Sequence, residues 1–488
     1  MGVNNFTWLP PDIRFVDMIS TRKWKKAGAL TIISFFLIVM PKTFAGSDDG
    51  SNDKMDRTQF KETLKKRTFN YFWQLVDKPT YQIPDRYPTK NFTSIAATGF
   101  GLASYIAGIE NNYITREQGA QRVVKTLRWL INAPQGSSEK NTAGYKGFFY
   151  HFLTYGEGVR YKNVELSTID TGLLMAGVLT SMSYFNEDNE TEKEIRRLAD
   201  KLFRRVEWDW AMNGNQTMSM GWRPEKGFIE AQWKGYNEAM ILLIMAMGSP
   251  THPIPNNSWD VWTQSYEWDN FYGYEHVNFS PLFGHQYSHM FIDFRGIQDE
   301  YMRDKGIDYF ENSRRATLSN RAYCMDNPKK FKGYSENIWG LTACDGPGNT
   351  KLNWKNEEIT FHTYMARGAS SRHIIDDGTI TPTAAGGSIP FAPQKCMDAL
   401  YAMYKKYGDR LFSEYGFLDS FNPTYGQLNG GRTWINDDYI GIDQGPILLQ
   451  MENHETGLIW NILKDNKYIR KGLEKAGFEG GWLEDNQN

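Results

Sequence analysis

Apolar residues recur at helical spacing along most of the chain after residue 56, in two alternating patterns. An apolar residue at every third or fourth position is typical of an amphipathic helix, as in segment 192–206. Segments 167–184 and 237–247 are apolar on every side, which is typical of a buried helix. The spacing predicts helices over residues 60–75, 95–106, 117–130, 167–184, 192–206, 237–247, 290–305, 313–327, 394–407, 444–463 and 468–476.

Buried helices that alternate with amphipathic ones are what an inner and an outer ring of helices would produce. The predicted fold is therefore all-α. Long connections rich in Gly, Asn, Asp and aromatic residues separate the helices, and loops of this length in a compact domain are usually functional. A few short strands are expected in them, for example at 148–153 and 217–222. The long loops cover residues 132–165, 208–236, 248–288, 328–393 and 416–443.

The first 45 residues have the order of a secretory signal peptide. Basic residues within 22–26 precede an apolar run at 27–40, and small residues follow within 43–46. The run is shorter than the roughly 20 residues that a membrane span needs. We predict a signal peptide over residues 1–45, cleaved after Ala45, with Met18 as an alternative start. An uncleaved signal anchor is the alternative interpretation.

The signal predicts a protein of the periplasm or the extracellular space, without stable membrane insertion after cleavage. No Cys directly follows the apolar run, so a lipoprotein is not expected. Residues 46–56 are predicted to form a short polar linker and residues 57–488 a single catalytic domain. We expect the protein to be a monomer.

Composition narrows the function classes. Lys and Arg total 55 and Asp and Glu total 57, and this balance argues against a nucleic-acid-binding protein. With 3 Cys in 488 residues, no disulfide framework holds the chain together. Aromatic residues make up 15% of the chain, which is a high share.

Several cofactor and nucleophile motifs are missing from the sequence. It has no phosphate-binding loop, no H-E-x-x-H, no paired C-x-x-C and no G-x-S-x-G element. We therefore expect neither a cofactor nor a metal. His285 and His289 are four residues apart, but no third ligand stands near them. With Tyr287 they can serve a polysaccharide lyase, line a pocket or be buried core histidines.

Carboxylates stand where loops lead into the predicted buried helices. Glu165 precedes segment 167–184, and Asp170 lies in its first turn. Asp170 can complete a capping box with Ser167, so a structural role and a functional role both stay open. Capping does not explain Glu165, which lies outside the helix.

Two further carboxylates precede or open buried helices. Glu238 opens segment 237–247, where a carboxyl group is expected to be desolvated, which raises its pKa and suits a general acid. Asp443 precedes the buried part of segment 444–463. Structural roles stay open, because Glu238 can pair with Arg223 and Asp443 can be an N-cap.

The loops beside these carboxylates carry a surplus of Trp and Tyr. Aromatic faces stack on sugar rings, and a cleft with paired carboxylates and aromatic walls fits glycoside hydrolysis. Packed cores also use aromatic residues, so the surplus alone is a weak signal.

Seven ordered sequence blocks carry a family resemblance. They include Gly-His-Gln-Tyr-Ser-His at 284–289 and Asp-Asp-Tyr-Ile-Gly-Ile-Asp-Gln-Gly-Pro at 437–446. Together they resemble the glycoamylase-like family, which corresponds to glycoside hydrolase family 144, the β-1,2-glucanases. The resemblance covers about residues 60–480 and implies an (α/α)6 barrel, or toroid, with a few short strands lining the cleft. The remaining blocks lie at 67–73, 94–101, 165–170, 293–299 and 339–347.

The resemblance implies an exported hydrolase that cleaves β-1,2-glucan or its oligosaccharides with inversion. Glu238 matches the family's general acid, while Asp443 and Glu165 match its other acidic positions, and Asp443 is the favoured base. Alternatives are a hydrolase of α-glucans or other β-glucans, or a glycan-binding protein without activity. The expected substrate-binding residues are Asp170, Trp222, Trp233, His285, Gln286, Tyr287, Trp339, Asp437, Asp438 and Tyr439.

Overall fold

A computed structural model of the chain describes residues 54–484. The predicted signal peptide at 1–45 and most of the predicted linker lie outside the described residues. Within 54–484, no helix combines the length and the apolar character needed to cross a membrane. The single catalytic domain over 57–488 stays a prediction.

Helices dominate the described chain, as the hydrophobic pattern predicts. Most predicted helices are present within a few residues of their expected bounds. The helices are α1 (Arg57–Gln74), α2 (Ile95–Glu110), α3 (Arg116–Asn132), α4 (Thr168–Tyr184), α5 (Glu190–Arg204), α6 (Met240–Gly248), α7 (Ser258–Thr263), α8 (Glu300–Lys305), α9 (Tyr309–Asp326), α10 (Pro382–Gly386), α11 (Pro393–Leu411), α12 (Pro423–Leu428), α13 (Gly441–Thr456), α14 (Leu458–Lys464) and α15 (Lys467–Lys475).

Short antiparallel strands occupy the long connections. Five of them form one sheet in the order β3-β4-β6-β7-β8, and the other sheets of the described chain are two-stranded. The strands are β1 (Arg86–Tyr87), β2 (Phe92–Ser94), β3 (Gly144–Tyr145), β4 (Phe148–Tyr150), β5 (Phe152–Thr154), β6 (Leu166–Ser167), β7 (Gly221–Arg223), β8 (Gly227–Phe228), β9 (Trp268–Phe271), β10 (Tyr274–Val277), β11 (Ala343–Cys344), β12 (Thr350–Trp354), β13 (Glu357–Phe361), β14 (Met365–Ala366), β15 (Gly368–Ala369), β16 (Ile374–Ile375), β17 (Phe412–Ser413), β18 (Gly416–Phe417), β19 (Phe421–Asn422), β20 (Trp434–Ile435) and β21 (Tyr439–Ile440).

Helices α2, α4 and α6 are almost entirely buried, in agreement with their all-round apolar sequences. Helix α4 packs between α2 and α6, and α13 packs on the other side of α2. Glycines let α2 and α4 approach closely. A Cβ atom on Gly99 would stand 2.3 Å from the carbonyl oxygen of Leu173, and one on Gly177 would stand 2.1 Å from the carbonyl oxygen of Gly99.

Helix α3 packs on α2 and α5, and α5 packs on α4. Helix α5 has its apolar residues on one face and its charged residues on the other, as predicted. Helix α1 packs against α2 and α13, α11 packs against α10, and α15 packs against α6. Amphipathic helices therefore cover the buried ones.

The predicted helix at 290–305 is wrong over most of its length, because regular helix begins only at Glu300. The carboxylate of Asp293 accepts hydrogen bonds from the backbone N–H and the guanidinium of Arg295, which favours a local turn over the helical ladder. Gly296 follows with a φ of +75°. Asp299 then caps α8 by accepting from the N–H of Met302.

Two other predicted elements are divided. The predicted helix at 444–463 ends at Gly457, whose φ of +69° separates α13 from α14. The strand predicted at 148–153 is two strands, β4 and β5, with His151 between them. The segment predicted at 237–247 becomes regular helix only at Met240.

Candidate active site

A cavity of about 1060 Å³ opens where the loops meet the starts of α4, α6 and α13. Its wall brings together polar groups that are far apart in the sequence. The charged and titratable residues that line it are Asp85, Arg86, His151, Lys162, Glu165, Asp170, Arg223, Glu238, Glu267, Tyr287, Cys344, Tyr364, His373, Asp419 and Asp443.

Glu238 lies in this wall just before α6. Its side chain is half-buried, and its Oε2 atom is buried without a hydrogen-bond partner. Burial raises the pKa of Glu238 to about 7, and the nearby charge of Asp170 contributes in the same direction. The hydroxyl of Ser288 donates to the backbone carbonyl of Glu238 at 3.1 Å and holds the segment in place. The predicted desolvation of this carboxyl group is confirmed.

The sequence-based alternative paired Glu238 with Arg223. Arg223 instead stands by Glu165, with 3.6 Å between Arg223 Nη2 and Glu165 Oε2. The Oε2 atom of Glu238 therefore has no hydrogen-bond partner in the described chain. A protonated carboxyl group facing a cavity can donate its proton to a bound molecule.

His151 joins the two carboxylates at the start of α4. Its Nδ1 atom lies 2.8 Å from Glu165 Oε1, and its Nε2 atom lies 3.6 Å from Asp170 Oδ2. Burial opposes the charged imidazole, but Asp170 and Glu165 outweigh it and raise the pKa of His151 to about 9. Burial also opposes the charged form of Glu165, but the hydrogen bond and the charge of His151 lower the pKa of Glu165 to about 2.

Asp170 does not complete a capping box with its own side chain. Ser167 caps α4 by accepting from the N–H of Asp170 at 3.2 Å, and its hydroxyl also donates to the Asp170 carboxylate. Asp170 lines the cavity between His151 and Glu238, and burial raises its pKa. The side chain is therefore placed for an electrostatic role in the cavity wall.

Asp443 lies in the first turn of α13, whose N-cap is Ile440, so the N-cap alternative for Asp443 is wrong. Its side chain lines the cavity, and its Oδ2 atom is buried without a hydrogen-bond partner. Burial raises the pKa of Asp443 well above the ordinary value, and the adjacent Asp419 adds to the effect.

Two of the predicted substrate-binding aromatic residues line the cavity. Trp233 donates from Nε1 to the hydroxyl of Thr168 at 2.9 Å. Tyr287 donates to the backbone carbonyl of Ile442 at 3.3 Å. Both hydrogen bonds fix the rings against the first turns of α4 and α13.

The remaining predicted substrate-binding residues are absent from the cavity wall. Trp339 is fully buried, and the side-chain amide of Gln286 donates to Ala384 and Ser388 inside the core. Trp222 is half-buried and packs on the rings of Tyr145 and Trp210. The others are His285, Asp437, Asp438 and Tyr439.

The four residues His285, Asp437, Asp438 and Tyr439 each have different surroundings. The carboxylate of Asp438 accepts from the N–H of Thr89, Tyr439 is buried in β21, and Asp437 is exposed. His285 is buried, and its Nε2 atom lies 3.2 Å from the carbonyl oxygen of Phe279. Burial lowers the pKa of His285 well below the ordinary value.

A lyase that used Tyr287 as its base is disfavoured by this geometry. Burial, together with the nearby Asp443, raises the pKa of Tyr287 well above its ordinary value. His285 and His289 are buried outside the cavity wall. Among residues 54–484, no group of three or more His, Cys, Asp or Glu side chains is arranged to hold a metal ion.

Sequence reasoning missed His151, Asp419 and Arg86. Arg86 donates to Asp85 at 3.0 Å and to Asp345 at 2.7 Å, and so ties the N-terminal part of the wall to the loop after β11. The signal that identified Glu238 was the apolar helix directly after it. These three residues have no such local signal, because their partners come from other parts of the chain.

Comparison with known proteins shows which family the chain belongs to. Residues 230–467 match the family model Glycoamylase, described as "Putative glucoamylase". A structure from Bacteroides uniformis with the same description is 34% identical to this chain, with a TM-score of 0.77. The similarity covers 88% of this chain and 100% of that one. The chain belongs to the glycoamylase-like family.

Two further proteins similar to this chain have named activities. An endo-β-1,2-glucanase from Chitinophaga pinensis, solved with sophorotriose and glucose, is 30% identical, with a TM-score of 0.76. The similarity covers 88% of this chain and 100% of the Chitinophaga pinensis chain. An exo β-1,2-glucooligosaccharide sophorohydrolase (non-reducing end) from Parabacteroides distasonis is 29% identical over 86% of this chain. The chain spans 58% of the length of that relative.

Proposed function

We propose that the protein is a glycoside hydrolase that cleaves β-1,2-glucan or its oligosaccharides with inversion at the anomeric carbon. Two similar proteins, from Chitinophaga pinensis and Parabacteroides distasonis, are named for action on β-1,2-linked glucose. The cavity supports the same chemistry, because it combines several carboxyl groups with apolar and aromatic walls. Such a cleft suits an oxocarbenium-like transition state flanked by two carboxyl groups.

Glu238 carries the proposal. It is the general acid, because a carboxyl group with a pKa of about 7 is protonated in a large fraction of molecules at neutral pH. Its unpartnered, buried Oε2 atom is free to receive a hydrogen bond or to donate the proton to the glycosidic oxygen. Burial removes the competing water that would otherwise keep the group ionised.

Asp443 is proposed as the base that activates the attacking water. An inverting enzyme holds its two carboxyl groups about 6.5–9.5 Å apart, which leaves room for this water. Glu165 has a different role, because His151 and Arg223 keep it ionised and oriented. We assign Glu165 to accepting hydrogen bonds from sugar hydroxyls beside the scissile bond.

We further propose that the helices close into the (α/α)6 barrel that the family resemblance implies. The packing order α2, α4, α6 on one side and α2, α13, α10 on the other supports it. The link between α6 and α10 runs through segment 286–288. Ser288 accepts from the N–H of Ile241 in α6, and Gln286 donates to the carbonyl of Ala384 in α10.

Export through the predicted signal peptide and a monomeric state belong to the same proposal. Long glucans do not cross a cytoplasmic membrane unaided, so an enzyme that cleaves them has use on the outer side. A secreted or periplasmic location would therefore bring enzyme and polymer together.

The substrate is tested with a panel of polymers. The chain from Gly46 onward is incubated with linear β-1,2-glucan, with starch and with β-1,3-glucan, and the products are separated by size. We expect products from β-1,2-glucan alone. A ladder of short oligosaccharides identifies endo action, and disaccharide from the first time point identifies exo action. Products from starch without products from β-1,2-glucan would contradict the substrate assignment.

A further inference from the structure

We propose that Asp419 is a positioning residue that shares one proton with Asp443, and that the pair acts as one base. The sharing of the proton rests on the burial and the hydrogen bonds of the two side chains, whereas its use in catalysis rests on the proposed function. Asp419 lies between β18 and β19, in a loop that no motif of the sequence singles out.

One carboxylate oxygen of Asp419, Oδ2, accepts hydrogen bonds from neighbouring residues. The Oδ2 atom accepts from the backbone N–H of Asp345 at 3.0 Å and from Nδ2 of Asn436 at 2.9 Å. The hydroxyl of Ser420 is 3.1 Å away, but its single proton goes to the carbonyl oxygen of Asp345 at 2.7 Å. Two donors on one oxygen favour the ionised form of a carboxyl group. The same bonds fix the direction of the second oxygen, Oδ1.

The second oxygen of Asp419 has no donor from elsewhere in the described chain. Its Oδ1 atom and the Oδ2 atom of Asp443 are both buried, and neither atom accepts a hydrogen bond from a third residue of the described chain. The two residues are 1% and 5% exposed, and both line the same cavity. Two adjacent buried carboxyl groups cannot both ionise cheaply, so one of them holds a proton.

The donors decide which group carries the proton. Asp419 accepts two hydrogen bonds on its Oδ2 atom, whereas the Oδ2 atom of Asp443 accepts none in the described chain. Asp443 is therefore the protonated member and donates toward Asp419. Burial raises the pKa of both groups, and that of Asp443 well above its ordinary value, which agrees with Asp443 as the protonated member.

The surrounding groups leave this assignment intact. Arg86 and Arg367 both act on Asp419, but each already donates to other carboxylates. Arg86 donates to Asp85 and Asp345, and Arg367 donates to Asp377. Tyr287 donates to a backbone carbonyl and so does not neutralise Asp443. The titratable groups that act electrostatically on or around the pair are Asp85, Arg86, Asp345, Tyr71, Tyr287, Cys344, Tyr364 and Arg367.

The step balances in atoms and charge. The oxygen of water bonds to the anomeric carbon, and one of its protons moves to Asp443. Asp443 passes its own proton to Asp419, while Glu238 gives its proton to the departing glycosidic oxygen. Before the step Asp419 is ionised and Glu238 is protonated. After the step Asp419 is protonated and Glu238 is ionised. The total charge of the three groups stays the same.

The shared proton is tested by infrared spectroscopy on protein labelled with ¹³C in its aspartate carboxyl groups. The label separates aspartic acid bands from those of Glu238. At pH 6, difference spectra of wild type against Asp419→Asn and against Asp443→Asn are expected to show the loss of the same carboxylic acid band. In Asp419→Asn the new amide donates to Asp443, which then ionises. A band that persists in Asp419→Asn would overturn the proposal.

Two controls protect the test from a folding defect. Asp409→Asn changes an exposed aspartate ten residues away and is expected to leave the band unchanged. If Asp419→Asn does not fold, Asp443→Asn and wild type decide the matter. The Asp443 variant must then lose one aspartic acid band and shift the carboxylate band of Asp419. Absence of any aspartic acid band in wild type at pH 6 would also overturn the proposal.

Activity on β-1,2-glucan tests the catalytic part. We expect Asp419→Asn to lower kcat by at least a hundredfold with KM changed less than threefold, and Asp419→Glu to recover part of kcat. Wild-type activity in Asp419→Asn would overturn the positioning role alone. Loss of the band in both variants, in a wild type that cleaves no glucan, would support the shared proton and contradict the proposed function.

Discussion

His151 Nδ1 lies 2.8 Å from Glu165 Oε1, and this contact sets the charge of one side of the cavity. The pKa of His151 is raised to about 9, and the pKa of Glu165 is lowered to about 2. Both groups are therefore charged at neutral pH. The imidazolium and the guanidinium of Arg223, which lies 3.6 Å from Glu165, together offset the charges of the two neighbouring carboxylates, Glu165 and Asp170.

The first prediction concerns the stability that this contact provides. His151→Gln is expected to lower the free energy of unfolding at pH 6 by about 1–3 kcal/mol, since a buried carboxylate loses a charged donor. Urea unfolding measures the difference. The matched control is His252→Gln, which removes a half-buried histidine 3.4 Å from the exposed Asp209 and should change stability by less than about 0.5 kcal/mol.

The same difference depends on pH in a defined direction. The folded pKa of His151 lies above its unfolded value of about 6.5, so its contribution is complete below that pH and is lost as pH rises through about 9. The folded pKa of Glu165 is lowered, so its contribution is complete above about 4.5 and is lost as pH falls through about 2. The gap between wild type and His151→Gln should thus shrink by pH 9.5, and an unchanged gap would argue against a charged His151.

A second prediction tests the contact between α2 and α4. Gly177→Ala places a Cβ atom 2.1 Å from the carbonyl oxygen of Gly99, so the two helices must separate. We expect a loss of about 1–3 kcal/mol, measured by urea unfolding. Gly136→Ala is the control, because its Cβ atom would meet nothing closer than 3.5 Å. Equal stability of both variants would mean that the helices have room to spare.

The sequence predicted the buried helices well because their signal is local. Segments 167–184 and 237–247 are apolar all round, and α4 and α6 are buried as expected. The desolvation of Glu238 follows from the same signal. The helix predicted at 290–305 failed because the side chains of Asp293 and Asp299 compete for backbone N–H groups, an effect that apolar spacing does not register.

The rest of the candidate site depends on contacts between distant segments. Asp419 meets Asp345, which is 74 residues away in the sequence, and Arg86 meets the same Asp345 across 259 residues. His151 stands between two short strands and has no motif around it. These residues become recognisable only when the fold brings their partners together.

A third prediction concerns the pH dependence of turnover. A general acid works only when it is protonated, so kcat/KM should fall as pH rises through about 7, the pKa of Glu238. Asp170 contributes to that raised pKa. Asp170→Asn should therefore move the alkaline limb to lower pH, measured on β-1,2-glucan oligosaccharides. An alkaline limb that stays in place or moves to higher pH would show that Asp170 does not act on the acid.

A fourth prediction addresses stereochemistry. Direct attack by water on a β-linked glucoside inverts the anomeric carbon and releases the α-anomer first. Proton NMR during the first minutes of hydrolysis distinguishes the anomers before they equilibrate. We expect the α-anomer signal to grow first. Initial release of the β-anomer would mean a covalent intermediate and would contradict the role of Asp443 as base.

The most direct measurement compares wild type with Glu238→Gln on linear β-1,2-glucan, with both turnover and binding recorded. Glu230→Gln, an exposed residue outside the cavity wall, is the matched control. The account predicts that Glu238→Gln loses at least a thousandfold in kcat while it binds sophorotriose within about threefold of wild type, and that Glu230→Gln behaves as wild type. Undiminished turnover in Glu238→Gln would remove Glu238 from the mechanism and contradict the central claim.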